Sequence, residues 1–311
     1  MKIAIVGIGG VGGYFGGKLA RQYESKDDHQ IMFVVRGPHL EKIKEKGLEV
    51  TTQEEGTFVA IPAYATGNPE ELGPVDVIIL CVKGYGLDAA ARMLVNNIHD
   101  DTVIITVSNG VDNAERLKTT LHKRSVLNGC VYISSRIVSP GKIQQVAGPR
   151  TLIFGPEDGS IEPYKNIESV LQNAGIKATL SSNIQTDVWT KFVFMGPLAG
   201  ITSMLDKPFG AIMEDQDNVK MTEGLMREVE SLAKAQNVSL PDDVVRKSLA
   251  LARNFPYETK SSLQLDFEKG KPSEIETFTG YVVKSGKVFG ITTPFHDQVY
   301  SALKEKEAKT Q

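Results

Sequence analysis

In the first half of the chain, apolar residues come in short unbroken runs that each end in glycine or a polar cluster. Between the runs they recur every three or four positions. Unbroken runs of this length suit buried parallel strands and the intervening spacing suits amphipathic helices, so the pattern predicts alternating strands and helices. Residues 2–6 lead straight into Gly7-Ile8-Gly9-Gly10-Val11-Gly12, and a helix is predicted from there through Arg21. A second strand is predicted over 30–36, a short charged helix over 40–46, and a strand pair over 48–52 and 57–61. A buried strand over 75–82, a helix over 87–98, a strand over 102–107 and a helix over 113–121 continue the alternation. Residues 126–137 and 142–154, separated by Ser139-Pro140-Gly141, read as a long hairpin, followed by a helix over 163–174 and a strand over 176–180.

Beyond Asn183 the spacing is helical throughout, with segments at 184–205, 211–236, 241–252, 261–268, 274–289 and 294–306. Such a change of pattern marks a domain boundary. The expected fold is α/β: an N-terminal Rossmann-type dinucleotide-binding domain over 1–182, then an all-α substrate and catalytic domain over 183–311.

Composition narrows the classes. The net charge of -3, with both signs mixed along the chain, offers no basic face for nucleic acid. Cys81 and Cys130 lie far apart within apolar runs, as buried free thiols of a reducing compartment would. No apolar run reaches membrane-spanning length and the chain opens on a core strand, so a cytoplasmic protein without a membrane partner is expected. The five histidines show no metal-ligand spacing, and no metal site is expected.

The candidate chemistry begins at the glycines. In a G-x-G-x-x-G turn between strand and helix, Gly7 makes the turn, Gly9 lets the backbone approach a pyrophosphate and Gly12 lets the helix pack on the strand. At the end of the second strand, where sites for NAD usually carry an acid, this chain has Arg36. A guanidinium matches the extra phosphate of NADP(H), although a solvated strand-end arginine would look the same. Lys83 and Asn109 follow the strands at the edge where such sheets bind ligands, and either also suits an ordinary exposed turn. Lys191 is a lone cation in the apolar stretch 187–195. Partial burial would lower its pKa and fit it to protonate a reduced carbonyl; a lysine snorkelling to the helix surface is the alternative.

Taken in order and at similar spacing, the glycine loop, Arg36, Val82-Lys83, Asn109-Gly110, Trp189-x-Lys191, Ser261-Ser262 and Glu274-Ile275 resemble ketopantoate reductase (2-dehydropantoate 2-reductase). That resemblance implies NADPH-dependent reduction of a 2-oxo acid, ketopantoate to pantoate, in pantothenate biosynthesis. It implies Lys191 as general acid, Asn109 as a contact of nicotinamide ribose and substrate, and Lys83 as a cofactor-side cation. Ser262 would be a substrate contact and Glu274 the acid joining cofactor and substrate, where a helix cap and a solvated acid are the plainer readings. Met195, Ala199 and Phe209 stand where the family places substrate-binding asparagines. A more apolar 2-oxo acid is therefore an alternative substrate, and a non-catalytic NADP(H)-binding regulator an alternative role. The expected partner is a small 2-oxo acid, with a homodimer as the candidate assembly.

Overall fold

A computed structural model describes residues 1–24, 28–122 and 125–310. Its first elements are β1 (Lys2–Val6), α1 (Gly10–Gln22), β2 (Gln30–Val34), α2 (Pro38–Lys46), β3 (Leu48–Thr52), β4 (Gly56–Ala60) and β5 (Tyr64–Thr66). Then come β6 (Val77–Leu80), α3 (Leu87–Met93), β7 (Val103–Thr106), α4 (Asn113–Leu121), β8 (Val126–Ser139), β9 (Lys142–Gly155), α5 (Lys165–Asn173) and β10 (Lys177–Leu180). These strands form one sheet in the order β4-β3-β9-β8-β7-β6-β1-β2-β5, with β10 paired to β9. From β5 through β2, β1, β6 and β7 to the start of β8 every pairing is parallel. The rest of β8 turns back antiparallel on β9.

Side-chain alternation explains why the strands read as unbroken apolar runs. Ile3 and Ile5 join a core with Phe15 and Leu19 of α1. Ala4 and Val6 face the opposite way and pack with Leu87 and Ala91 of α3. A strand covered on both faces has no solvent side on which to place polar residues.

The second half is built from α6 (Ile184–Leu205), α7 (Phe209–Glu214), α8 (Gln216–Ala235), α9 (Val244–Arg253), α10 (Ser262–Glu268), α11 (Tyr281–Phe289) and α12 (Pro294–Thr310). The chain divides into two units: Met1–Ser108 with Asp112–Ile184, and Asn109–Val111 with Gln185–Gln311. The loop tip carrying Asn109 thus belongs with the helices. Helix α6 is long and apolar enough to cross a membrane, which the absence of long apolar runs had not suggested, yet most of it is buried. It serves as the core helix: Trp189 and Phe192 meet Tyr281, and Phe192 stacks on Phe278.

Several elements differ from expectation for local reasons. β5 was not foreseen, because three residues carry too little pattern. The helix expected over 87–98 stops at Met93 and continues as a short tight turn at Val95–Asn97. The helix expected over 211–236 is two helices, because the Asp215 side chain caps α8 by accepting from the Asp217 and Asn218 N–H groups. The segment expected as one helix over 274–289 contains a π-helical turn, Glu276–Gly280, ahead of α11.

Candidate active site

In the first unit the glycine loop takes the form its spacing implies. Gly7 adopts φ +92°, a left-handed value that glycine tolerates without strain. A Cβ on Gly12 would collide with the Gly7 carbonyl oxygen, and one on Gly10 with the Ser135 carbonyl. At Gly9, by contrast, a Cβ would meet nothing within 4 Å. The loop is closed by protein around Gly10 and Gly12 and open over Gly9.

Gly9 is also the N-cap of α1 and supplies no side-chain cap, and no acid stands in the first turn of α1. Uncapped N–H groups and a positive dipole end without a competing carboxylate suit a pyrophosphate. The residues present therefore fit a dinucleotide. Ile8 is buried in the core and can meet such a ligand only through its backbone, while Val11 is half-buried. Arg36 is exposed just past β2. Lys83 is half-buried beyond β6, next to Val82, whose carbonyl accepts from the Ser108 hydroxyl at 2.7 Å. That bond ties together the carboxyl ends of β6 and β7.

His39, which the sequence did not single out, braces this unit. Its Nδ1 accepts from the Gly141 N–H at 2.7 Å in the turn between β8 and β9. Burial holds its pKa below the ordinary value, and an interaction with the Ile8 backbone in the glycine loop opposes that shift.

The second unit assembles the other candidates. Lys191, on α6, donates from Nζ to Asn109 Oδ1 at 3.0 Å. Asn109 Nδ2 in turn donates to Glu274 Oε2 at 3.5 Å. The two bonds fix which end of the carboxamide faces which charge, because only its oxygen can accept from an ammonium and only its nitrogen can donate to a carboxylate. Glu274 is 1% exposed, and a carboxylate taken so far from water needs polar partners. Lys191 is half-buried. The arrangement holds a proton donor and a carboxylate on either side of one amide.

Ser262 is exposed at the first position of α10. The buried hydroxyl is that of Ser261, the N-cap, which accepts from Gln264 N–H at 3.1 Å and lies 2.9 Å from Thr202 Oγ1. The helix cap is thus made by Ser261 and not by Ser262. Met195 is half-buried, and Ala199 and Phe209 are buried.

A dinucleotide loop in an α/β unit, joined in one chain to a helical unit holding a lysine, an amide and a buried carboxylate, defines a nicotinamide-dependent oxidoreductase. The chain belongs to the ketopantoate reductase family: residues 3–159 match the family model Ketopantoate reductase PanE/ApbA, and residues 183–307 its C-terminal counterpart. The family reduces small 2-oxo acids with a nicotinamide dinucleotide. Among curated proteins, the chain is 28% identical to an uncharacterized oxidoreductase, YkpB, of Bacillus subtilis (strain 168), over 99% of this chain and 100% of that one. Among solved structures, the 2-dehydropantoate 2-reductase of Porphyromonas gingivalis W83 is 33% identical, with a TM-score of 0.84 over 97% of this chain and 99% of the other. A PanE/ApbA family ketopantoate reductase from Ralstonia eutropha JMP134 is 27% identical, with a TM-score of 0.89 and full coverage of both chains.

Proposed function

We propose that this protein uses NADPH to reduce a 2-oxo acid to the 2-hydroxy acid, with ketopantoate as the substrate. The single observation that carries the reading is the hydrogen-bonded series Lys191–Asn109–Glu274. Relatives bearing the name 2-dehydropantoate 2-reductase support the substrate, and Arg36 beyond β2 supports the 2′-phosphate of NADPH.

A bound reduced nicotinamide would supply the hydride for the carbonyl carbon. Everything else falls to the protein's own groups. Backbone N–H groups of the Gly7–Gly12 loop and the start of α1 hold the pyrophosphate. Lys191 neutralises the charge developing on the carbonyl oxygen and gives it a proton from Nζ. Asn109 keeps that ammonium aimed through its Oδ1, and the same amide holds Glu274 in place through its Nδ2. Glu274 accepts hydrogen bonds from cofactor or substrate hydroxyls, and Ser262 offers an exposed hydroxyl to the substrate.

A second reading follows from the composition of the helical unit. Met195, Ala199 and Phe209 offer no side-chain hydrogen-bond donors, and a site with fewer donors discriminates less in favour of a polar substrate. A branched apolar 2-oxo acid is the substrate this reading favours. Purified protein assayed with NADPH and with NADH, on ketopantoate, pyruvate and 2-oxoisovalerate, separates the two. The highest kcat/KM for ketopantoate with NADPH supports the first reading, and the highest for 2-oxoisovalerate the second. No oxidation of either cofactor with any of the three removes both.

A further inference from the structure

Glu274 is the most buried acid of the candidate site, and the chain around it is built unusually. Two residues later the helix widens into the π-helical turn Glu276–Gly280, in which the Tyr281 N–H reaches back five residues to the Glu276 carbonyl. Such turns are rare and cluster at functional positions, because one inserted residue rotates everything on one side of it relative to the other. Something must hold the wider turn against relaxation to an ordinary helix.

The Glu276 side chain is placed to do this. Oε1 accepts from the Tyr300 hydroxyl of α12 at 2.8 Å, and Oε2 accepts from Lys284 Nζ of α11 at 2.5 Å. Lys304 of α12 lies 3.6 Å from Oε1. The carboxylate folds back over Gly280, where a Cβ would come within 2.7 Å of Oε2. On the other side of Glu274, Ser273 donates to Glu307 of α12 at 2.9 Å, and Lys304 joins the same Glu307 at 2.6 Å. The segment is therefore fastened to α12 immediately before and just after Glu274.

We infer that Glu276, gripped by Tyr300 and Lys284, is a positioning residue that sets the π-helical register and so keeps Glu274 directed at Asn109. This inference rests on the reading of Glu274 given above. Single surface ion pairs contribute little to stability, whereas a carboxylate with three partners on two helices fixes one local geometry. The role is thus visible in turnover more than in melting temperature.

The test is a double-mutant cycle with Tyr300→Phe and Glu274→Gln, read as kcat and KM with NADPH on whichever of ketopantoate, pyruvate and 2-oxoisovalerate turns over fastest. Tyr300→Phe is expected to lower kcat about five- to tenfold in the native background and to have no further effect once Glu274 is glutamine. Glu276→Gln, which keeps the shape and weakens the grip, should behave the same way and serves if Tyr300→Phe folds poorly. Equal losses with and without Glu274→Gln, or no loss in the native background, would overturn the positioning role alone. If Glu274→Gln by itself leaves kcat unchanged, the reading of Glu274 fails and this inference with it. Failure of all three acids to turn over has the same consequence.

Discussion

Lys191 and Asn109 are 82 positions apart in the chain, yet the lysine ammonium donates to the asparagine oxygen at 3.0 Å. The contact joins the middle of an apolar helix to a loop tip that follows a strand of the other half.

Replacing each member separates the chemistry from its aiming. Lys191→Ala should lower kcat by about two to four powers of ten, the range for a positioned acid. Asn109→Ala removes a charge-assisted bond and leaves the ammonium in place, so a smaller loss of about ten- to a hundredfold is expected. Steady-state rates followed by the absorbance of the reduced nicotinamide check both. A loss at Lys191 no larger than that at Asn109 would remove it from the role of acid.

The glycine loop offers a contrast between two neighbouring alanine substitutions. Gly12→Ala drives a methyl into the Gly7 carbonyl and should lower the melting temperature by several degrees, as overpacking of about 1–3 kcal/mol would. Gly9→Ala meets no protein atom and should leave the melting temperature nearly unchanged while abolishing NADPH binding, measured by titration of protein fluorescence. Normal NADPH affinity in Gly9→Ala would show that the open face of the loop is not the pyrophosphate seat.

Arg36 is tested by comparing cofactors. Loss of a charge-assisted phosphate contact is worth about 1.5–3 kcal/mol, or roughly ten- to a hundredfold in affinity. Arg36→Ala should weaken NADPH by that factor and NADH by much less, in the dissociation constants of each. Equal weakening would assign Arg36 a role other than reading the 2′-phosphate.

His39 predicts an acid sensitivity. Its folded pKa lies below the ordinary value of 6.5, because burial outweighs the opposing interaction with the Ile8 backbone. The unfolded chain then binds the proton more readily than the folded one. Stability is complete above the unfolded value and is lost as pH falls below it toward the folded pKa. Between about pH 7.5 and pH 5.5 the melting temperature of the native protein should fall further than that of His39→Asn, whose side-chain oxygen can still accept from Gly141. Parallel curves would show that His39 does not carry this dependence.

What could be read from residues alone tracks how local the cause is. β1, the glycine loop and α1 were legible because a change from strand to helix spacing and three glycines act within a few positions. The long hairpin of β8 and β9 was legible through its Pro-Gly turn. The break between α7 and α8 was not, since Asp215 sits in an otherwise continuous helical pattern and only its capping bonds reveal the stop. At the candidate site, the kinds of side chain suited to carbonyl reduction could be picked out by type. That Asn109 lies between Lys191 and Glu274 could not, because those bonds span 82 and 165 positions. The π-helical turn left no pattern, for the partners that hold Glu276 come from α11 and α12.

The assignment of Asn109–Val111 to the helical unit restricts how this architecture can be inherited. A gene fragment beginning at Gln185 encodes Lys191 and Glu274 and omits the amide that both of them touch. The two halves are consequently not interchangeable cassettes. Any recombination that swaps the helical half for one suited to a different acid must keep, or redesign in step, a three-residue tip encoded within the other half, so new specificities in this lineage should arise by point substitution within α6 and α10 more readily than by shuffling.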